Sequence, residues 1–287
     1  MTSPVPVPKD LAQQIDRALK EDIGSGDLTA ALVPASARAE ASIITRENAV
    51  ICGIPYVEGA FARLDAAVRI EWRVAEGAAA AANQTLCRLS GPARALLTGE
   101  RTALNFMQLL SGTATAARSY AELLEGTACR LLDTRKTLPG LRSAQKYAVR
   151  VGGGQNHRIG LYDGILIKEN HIMAAGGIAE AVRAAQAAAA TVPVEVEVES
   201  LEELREAIEA GADSALLDDF SLAAMSEAVA INRRAERPLK LEASGGVSLE
   251  TIRAIAETGV DYVSVGSITK HVRAIDLSMR FDVPPRG

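Results

Sequence analysis

Apolar residues recur every three or four positions over residues 9–20, with Leu11, Ile15 and Leu19 on one face, and this spacing predicts a helix. The preceding TSPVPVP is Pro-rich and is expected to form an extended arm. Runs at residues 39–46, 68–74 and 85–89 read as strands, with residues 55–64 a helix between the first two, which together make an α+β module. Residues 93–124 are helical in pattern, with an expected break at Gly112. A short apolar run, Cys129 to Asp133, then fits a buried strand, after which the chain turns polar at once. Leu141, Ala144, Ala148 and Val151 carry helical spacing over residues 141–151, and Gly152, Gly153 and Gly154 end that helix. Residues 163–167 form another apolar run.

Beyond His171 the pattern alternates strand with helix. Residues 174–190 predict an alanine-rich helix, 193–199 a strand, 201–210 an amphipathic helix, 214–217 a strand and 221–230 a helix. Two further strands follow at 239–243 and 262–265. Such a succession predicts a parallel sheet of the βα kind, whose strand ends carry ligand sites.

The polar residues concentrate at those ends. The stretch from Asp133 to His171 holds two of the three histidines and a cationic set, Arg135, Lys136, Arg158 and Lys168, with His157. Solvated loops use Lys and Arg in pairs with surface carboxylates. They do not need each cation directly after a buried strand or beside a triple glycine, so the placement favours a pocket for a polyanion. In PVEVEVE, the period of two puts Glu195, Glu197 and Glu199 on one strand face, which is costly in an interior strand unless cations or a metal meet them. The next strands end in Asp218-Asp219, Ser244-Gly245-Gly246 and Gly266-Ser267. Glycine turns that lead into helices suit a phosphate, and Glu197 with Asp218 can hold Mg²⁺ on a diphosphate. The acidic loop at residues 21–29 reads as a hinge in which Asp27 or Thr29 caps the next element. On pattern alone Arg101 is a surface cation.

At 287 residues the chain can bury a full barrel or two domains, and its formal net charge of -5 argues against a nucleic acid partner. Cys52, Cys87 and Cys129 are far apart, with no CxxC pair, which fits a reducing cytoplasm. No apolar run approaches a membrane span, and residues 1–8 lack the features of a signal peptide, so no membrane partner is expected.

The segments GERTALNFMQLLSGTAT, DTRKTLPGLR, KYAVRVGGGQNHRIGLYDGILIKENHI, EVEVES, LLDDF, LEASGG and GVDYVSVGSITKHVRAIDLSMRF resemble the quinolinate phosphoribosyltransferases over nearly the whole chain. The resemblance implies an α/β fold: an N-terminal α/β sandwich (residues 1–112, joined by the tail 273–287) and an incomplete seven-stranded α/β barrel (113–272). It implies a homodimer, open to further assembly, in which Arg101 reaches quinolinate in the partner's site. Arg135, His157, Arg158 and Lys168 then resemble the quinolinate pocket, with Thr134 and Lys136 beside them. Glu197 and Asp218 resemble the carboxylates for 5-phosphoribosyl 1-diphosphate and Mg²⁺, and Ser244, Gly245, Gly246, Val265, Gly266 and Ser267 the phosphate loops. Lys136, Lys168, Glu197 and Asp218 are the implied catalytic set. Asp219 departs from the family's LDN pattern. The implied reaction is attack of the pyridine nitrogen on ribose C1, loss of diphosphate, then loss of CO₂ to give nicotinate mononucleotide. A molybdenum-utilisation paralogue shares the fold, but the cationic cluster suits a dicarboxylate. A type I phosphoribosyltransferase would need a glycine loop where residues 221–230 read as helix. A binding module without activity would release no CO₂.

Overall fold

The computed structural model describes residues 5–189 and 191–282; the first residues of the Pro-rich arm and Ala190, the expected end of the alanine-rich helix, lie outside them. In chain order the elements are α1 (Leu11–Ile23), β1 (Arg38–Thr45), β2 (Ala49–Val50), α2 (Ile54–Leu64), β3 (Arg69–Trp72), β4 (Ala79–Ala80), β5 (Thr85–Pro92) and α3 (Ala93–Leu123). Then come β6 (Arg130–Leu132), α4 (Arg142–Val151), β7 (Ile165–Ile167), α5 (Glu169–Ala175), α6 (Ile178–Ala188), β8 (Val194–Val198), α7 (Leu201–Glu209), β9 (Ser214–Asp218), α8 (Leu222–Asn232), β10 (Lys240–Ser244), α9 (Ile252–Glu257), β11 (Tyr262–Ser264), α10 (Ser267–Lys270) and β12 (Leu277–Asp282).

These elements make two compact units. The first holds residues up to Arg118, Thr137–Gly153 and the chain from Ile268 on. Its main sheet has the order β12-β1-β5-β3, in antiparallel pairs, so β12 returns beside β1 with Thr45 opposite Leu277, and residues 283–287 of the expected tail lie outside the described residues. Glu47 fixes that return by accepting from the Arg273 guanidinium and from the Asp276 N–H at 2.9 Å. Asp27, not Thr29, supplies the expected cap: its Oδ1 accepts from the N–H groups of Thr29 and Ala30 at 2.9 and 2.8 Å.

Helix α3 runs unbroken through Gly112. The glycine marks a close approach, since a Cβ there would lie 2.2 Å from the carbonyl oxygen of Arg273. The segment Thr137–Gly153, expected in the barrel, groups with the first unit. Its helix α4 buries Ala144, Tyr147, Ala148 and Val151 in the same apolar cluster as Tyr56, Leu104 and Met107, and burial of that stripe decides its place.

The second unit holds Ser119–Lys136 and Gly154–Ser267. Its sheet is parallel throughout, in the order β6-β11-β10-β9-β8-β7, with six strands among the described residues where the family resemblance implied seven. The seventh position is reduced to one parallel bridge between Leu132 and Gln155, made by Gln155 N to Leu131 O (2.8 Å) and Asp133 N to Gln155 O (3.1 Å). Beyond Gln155, Asn156 and the His157 N–H bond to the Asp133 carboxylate rather than continuing the pairing, and the barrel is incomplete. The alanine-rich segment is two helices rather than one: Gly176, at φ 93°, closes α5 in the left-handed region that glycine favours, and α6 starts after Gly177.

Candidate active site

Because all strands of the second sheet point the same way, their C-terminal ends share one edge. The register sets Ile167 beside Val196, Glu197 beside Leu216, Asp218 beside Ser244, and Ser264 beside Leu132. Thr134, Arg135, Lys136, His157, Arg158, Lys168, Glu197, Asp218 and Ser244 all line one cavity of about 460 Å³ at that edge, with Leu166, Leu216, Glu242 and Ser264 completing it. Arg101 belongs to the first unit, where it is exposed on α3.

Asp133 builds the cationic side. It is fully buried after β6, and its Oδ1 accepts from the His157 N–H (2.9 Å) while its Oδ2 accepts from Asn156 Nδ2 (2.6 Å). The loop after the triple glycine is thereby tied to the β6 end. Further on, Asp163 accepts from the N–H groups of Ile159 and Gly160, at 2.8 and 2.9 Å, and Arg158 Nη1 donates to Gly164 O at 3.2 Å. Burial, then the charge of Arg135, lowers the Arg158 pKa. Two guanidinium groups held close enough to repel each other are a ready site for anionic oxygens.

The acidic side comes from β8 and β9. Lys168 Nζ is ion-paired with Glu197 Oε2. Burial, followed by the charges of Glu197 and Asp219, raises the Asp218 carboxyl above its ordinary value, against the opposing pull of Lys168 and Lys136. Asp219 adopts φ 53°, a left-handed conformation open to Asp and Asn, and donates its N–H to Ser244 O at 3.1 Å. Its carboxylate packs on Gly245, where a Cβ would lie 2.1 Å from Asp219 Oδ1. Gly245 and Gly246 both have positive φ, 91° and 56°, so the turn after Ser244 exposes backbone rather than side chains. Val265 is buried and its N–H is used by Leu132 O at 3.0 Å, while Gly266 and Ser267 are half-buried and are not among the residues that line the cavity. Gly266 lies against Lys136: a Cβ there would be 3.1 Å from Lys136 Cδ.

The glutamate row divides. Glu199 lies beyond β8 and is exposed, Glu197 meets Lys168, and Glu195 is buried with its Oε2 2.8 Å from His157 Nε2. Two residues outside the expected set matter here. Glu242, inside the LEASGG segment, is 2 % exposed with Oε2 3.4 Å from the same ring nitrogen, and burial, then Glu195, pushes its carboxyl up to about 8. Asp133 is the other. Its place at a strand end was visible in the sequence; its role as anchor needed the returning loop.

The families described as "Quinolinate phosphoribosyl transferase, N-terminal domain" and "Quinolinate phosphoribosyl transferase, C-terminal domain" match residues 27–111 and 113–280. The chain is 42% identical over 270 residues to a probable nicotinate-nucleotide pyrophosphorylase [carboxylating] of Bacillus subtilis, covering 94% of this chain and 92% of that one. It is 45% identical over 274 residues to the nicotinate-nucleotide pyrophosphorylase [carboxylating] of Mycobacterium leprae, covering 92% and 95%. Among solved structures, the nicotinate-nucleotide pyrophosphorylase of Francisella tularensis superposes with a TM-score of 0.92 at 46% identity, over 98% of this chain and 100% of that one. With both domains matched and a fold and site of this kind, the chain belongs to the quinolinate phosphoribosyltransferase family.

Proposed function

We propose that the chain joins quinolinate to the phosphoribosyl group of 5-phosphoribosyl 1-diphosphate, releasing diphosphate and CO₂ and leaving nicotinate mononucleotide for NAD biosynthesis. The observation that carries this reading is one cavity that gathers Arg135, Lys136, Arg158 and Lys168 on one side and Glu197 and Asp218 on the other. A dicarboxylate needs the first set. A ribosyl cation, and a metal ion carried by the diphosphate, need the second.

Arg135 and Arg158 take the two carboxylates of quinolinate through planar paired contacts, with Thr134 and His157 beside them. This holds the ring nitrogen toward ribose C1. The nitrogen attacks C1 as the bond to the diphosphate oxygen breaks, and Glu197 and Asp218 stabilise the positive charge that builds on the ribose. Lys136 and Lys168 neutralise the leaving diphosphate. The ring nitrogen, now quaternary and positively charged, stabilises the electron pair that stays on the adjacent ring carbon when its carboxylate departs as CO₂, and that carbon then takes up a proton. Ser244, Gly245, Gly246, Gly266 and Ser267 present the 5-phosphate with backbone and hydroxyl donors.

Glu197 and Asp218 fit Mg²⁺. They are oxygen donors, and the crowding that raises the Asp218 carboxyl is relieved by a cation. Two carboxylates suit an ion that keeps water and takes diphosphate oxygens. Bound there, Mg²⁺ would offset the charge of the diphosphate.

The working form is a homodimer in which Arg101, exposed on α3, enters the partner's site. The protein acts in the cytoplasm: Cys52, Cys87 and Cys129 are buried free thiols, as in a reducing compartment, and among the described residues no helix is long and apolar enough to cross a membrane. A single-turnover reaction with quinolinate and 5-phosphoribosyl 1-diphosphate should release one CO₂ per site, and nicotinate should not replace quinolinate. Diphosphate release without CO₂, or equal use of nicotinate, would sink the reading.

A further inference from the structure

Beneath the ligand cavity the barrel is not filled by apolar side chains. A second cavity, of about 520 Å³, opens among Pro193, Ser214, Lys240 and Tyr262 at the starts of the strands. His157, Arg158 and Glu242 line both cavities. The layer between them is therefore polar, made of His157, Glu195 on β8 and Glu242 on β10, and it includes two buried carboxyls on one imidazole.

A histidine with two carboxylates is a donor set that can hold a cation, and these ligand atoms lie within 4.8 Å of one another. Glu242 Oε1 is buried with no hydrogen-bond partner. The histidine's other nitrogen decides against a metal. The Arg158 N–H points at His157 Nδ1 at 2.8 Å, and a backbone N–H can only donate, so Nδ1 carries no proton. The neutral ring then bears its proton on Nε2, the atom a metal would require bare. Nε2–H donates to Glu195 and, more weakly, toward Glu242. Metal-bound histidines show the reverse arrangement, with the second nitrogen donating to a carboxylate or carbonyl.

We propose that Glu195 and Glu242 are positioning residues that lock His157 in its Nε2–H form, so that its bare Nδ1 holds the Arg158 backbone and presents the Arg158 guanidinium to the base-binding pocket. The proposal rests on the reading of that pocket as the quinolinate site. Its chemical logic is that a backbone N–H gains a fixed acceptor only if the ring cannot flip or change tautomer, and two carboxyls on Nε2 prevent both. Glu195 also offsets the charge of Arg158 from below, where a bound carboxylate would do so from above.

Two measurements test this. Selective ¹⁵N labelling of histidine in the full-length protein gives three imidazole spin systems of two nitrogens each, and a His157→Asn variant identifies the one of interest. His157 should show the neutral Nε2–H pattern; an Nδ1–H tautomer overturns the proposal, as does one equivalent of a transition metal retained by the native protein and lost in Glu195→Gln. In the second, Glu195→Leu should raise the KM for quinolinate about tenfold, the usual scale for removing an orienting partner, with the KM for 5-phosphoribosyl 1-diphosphate within about twofold. Glu195→Gln, which still accepts from Nε2–H, should restore most of the loss. Equal change in both KM values, or an unaltered KM for quinolinate in Glu195→Leu, overturns it. If Glu195→Leu does not fold, the tautomer measurement on the unaltered protein still decides. Wild-type protein that binds no quinolinate would remove the pocket reading itself, an outcome separate from failure of the positioning role.

Discussion

Tyr147 donates its hydroxyl to Glu76 Oε1 at 2.9 Å, and this one carboxylate also accepts the N–H groups of Gly53 (2.8 Å) and Ile54 (3.0 Å) at the start of α2. A side chain distant in sequence thus caps a helix that has no cap of its own. The contact joins α4 to the start of α2 within the first unit. Glu76→Ala should cost about 1–3 kcal/mol of stability, because two helix N–H groups lose a charged acceptor, whereas Tyr147→Phe should cost about 0.5–1.5 kcal/mol. Denaturant melts of both variants measure this, and an order reversed between them would contradict the capping role.

Arg135→Lys and Arg158→Lys keep the charge and lose the planar fork. Each should reduce kcat/KM for quinolinate by the equivalent of about 2–4 kcal/mol of transition-state stabilisation. Near-normal steady-state kinetics in both variants would take the two arginines out of the pocket.

Glu197→Gln and Asp218→Asn should weaken the binding of Mg²⁺ and of 5-phosphoribosyl 1-diphosphate and leave quinolinate binding largely intact, since they occupy β8 and β9 while the arginines sit in the loops after β6 and Gln155. Calorimetric titration of each ligand separates the effects. Equal loss of both ligands would show that the two halves of the cavity do not act independently.

If the chain works as the proposed homodimer with Arg101 in the partner's site, Arg101→Ala and Lys168→Ala proteins should each be nearly inactive, and mixing them should restore activity. In a mixed dimer one site has both defects and the other has neither, and random exchange puts about half of the protein into mixed dimers. Mass-tagged subunits verify the exchange before activity is read. Verified mixed dimers that stay dead would place Arg101 in its own chain's site.

Glu242 gives a pH dependence. Its carboxyl is raised from 4.5 to about 8 by burial and by Glu195, so the folded protein keeps a proton that the unfolded chain gives up. Between those values the unfolded state binds fewer protons, and this group's contribution to stability falls as pH rises, by at most about 1.4 kcal/mol per pH unit. Glu242→Gln cannot ionise and should lose that slope. Urea melts at pH 5.5 and 8.5 should therefore find the variant gaining on wild type at the higher pH; a constant difference would mean that Glu242 is ionised throughout.

Much of the site was legible in the chain because it is local. Asp133, Lys168, Asp218 and Ser244 close or directly follow apolar runs, and a run buried in a parallel sheet delivers the next residue to the sheet's C-terminal edge wherever its neighbours lie. The period of two in PVEVEVE likewise set Glu195 and Glu197 on one face. The family motifs added which ligand each end meets.

Other features depend on residues brought together from distant parts of the chain. Gly112 reads as a helix break by composition, and only the approach of Arg273 makes it a contact point inside one continuous helix. The helix after the DTRK segment has the pattern of a barrel helix; what assigned it to the first unit was the apolar cluster that covers its buried stripe. Glu195 and Glu242 are two strands apart in the sheet, with Ser214 and Leu216 of β9 between their registers, and nothing in either segment points to the other. They meet because the sheet curves inward and the loop carrying His157 enters the same space. A sequence fixes the period, the capping chemistry and the residue after each strand; closure of a sheet around a shared interior is a property of the assembled strands, and it alone decided that two carboxyls would share one imidazole.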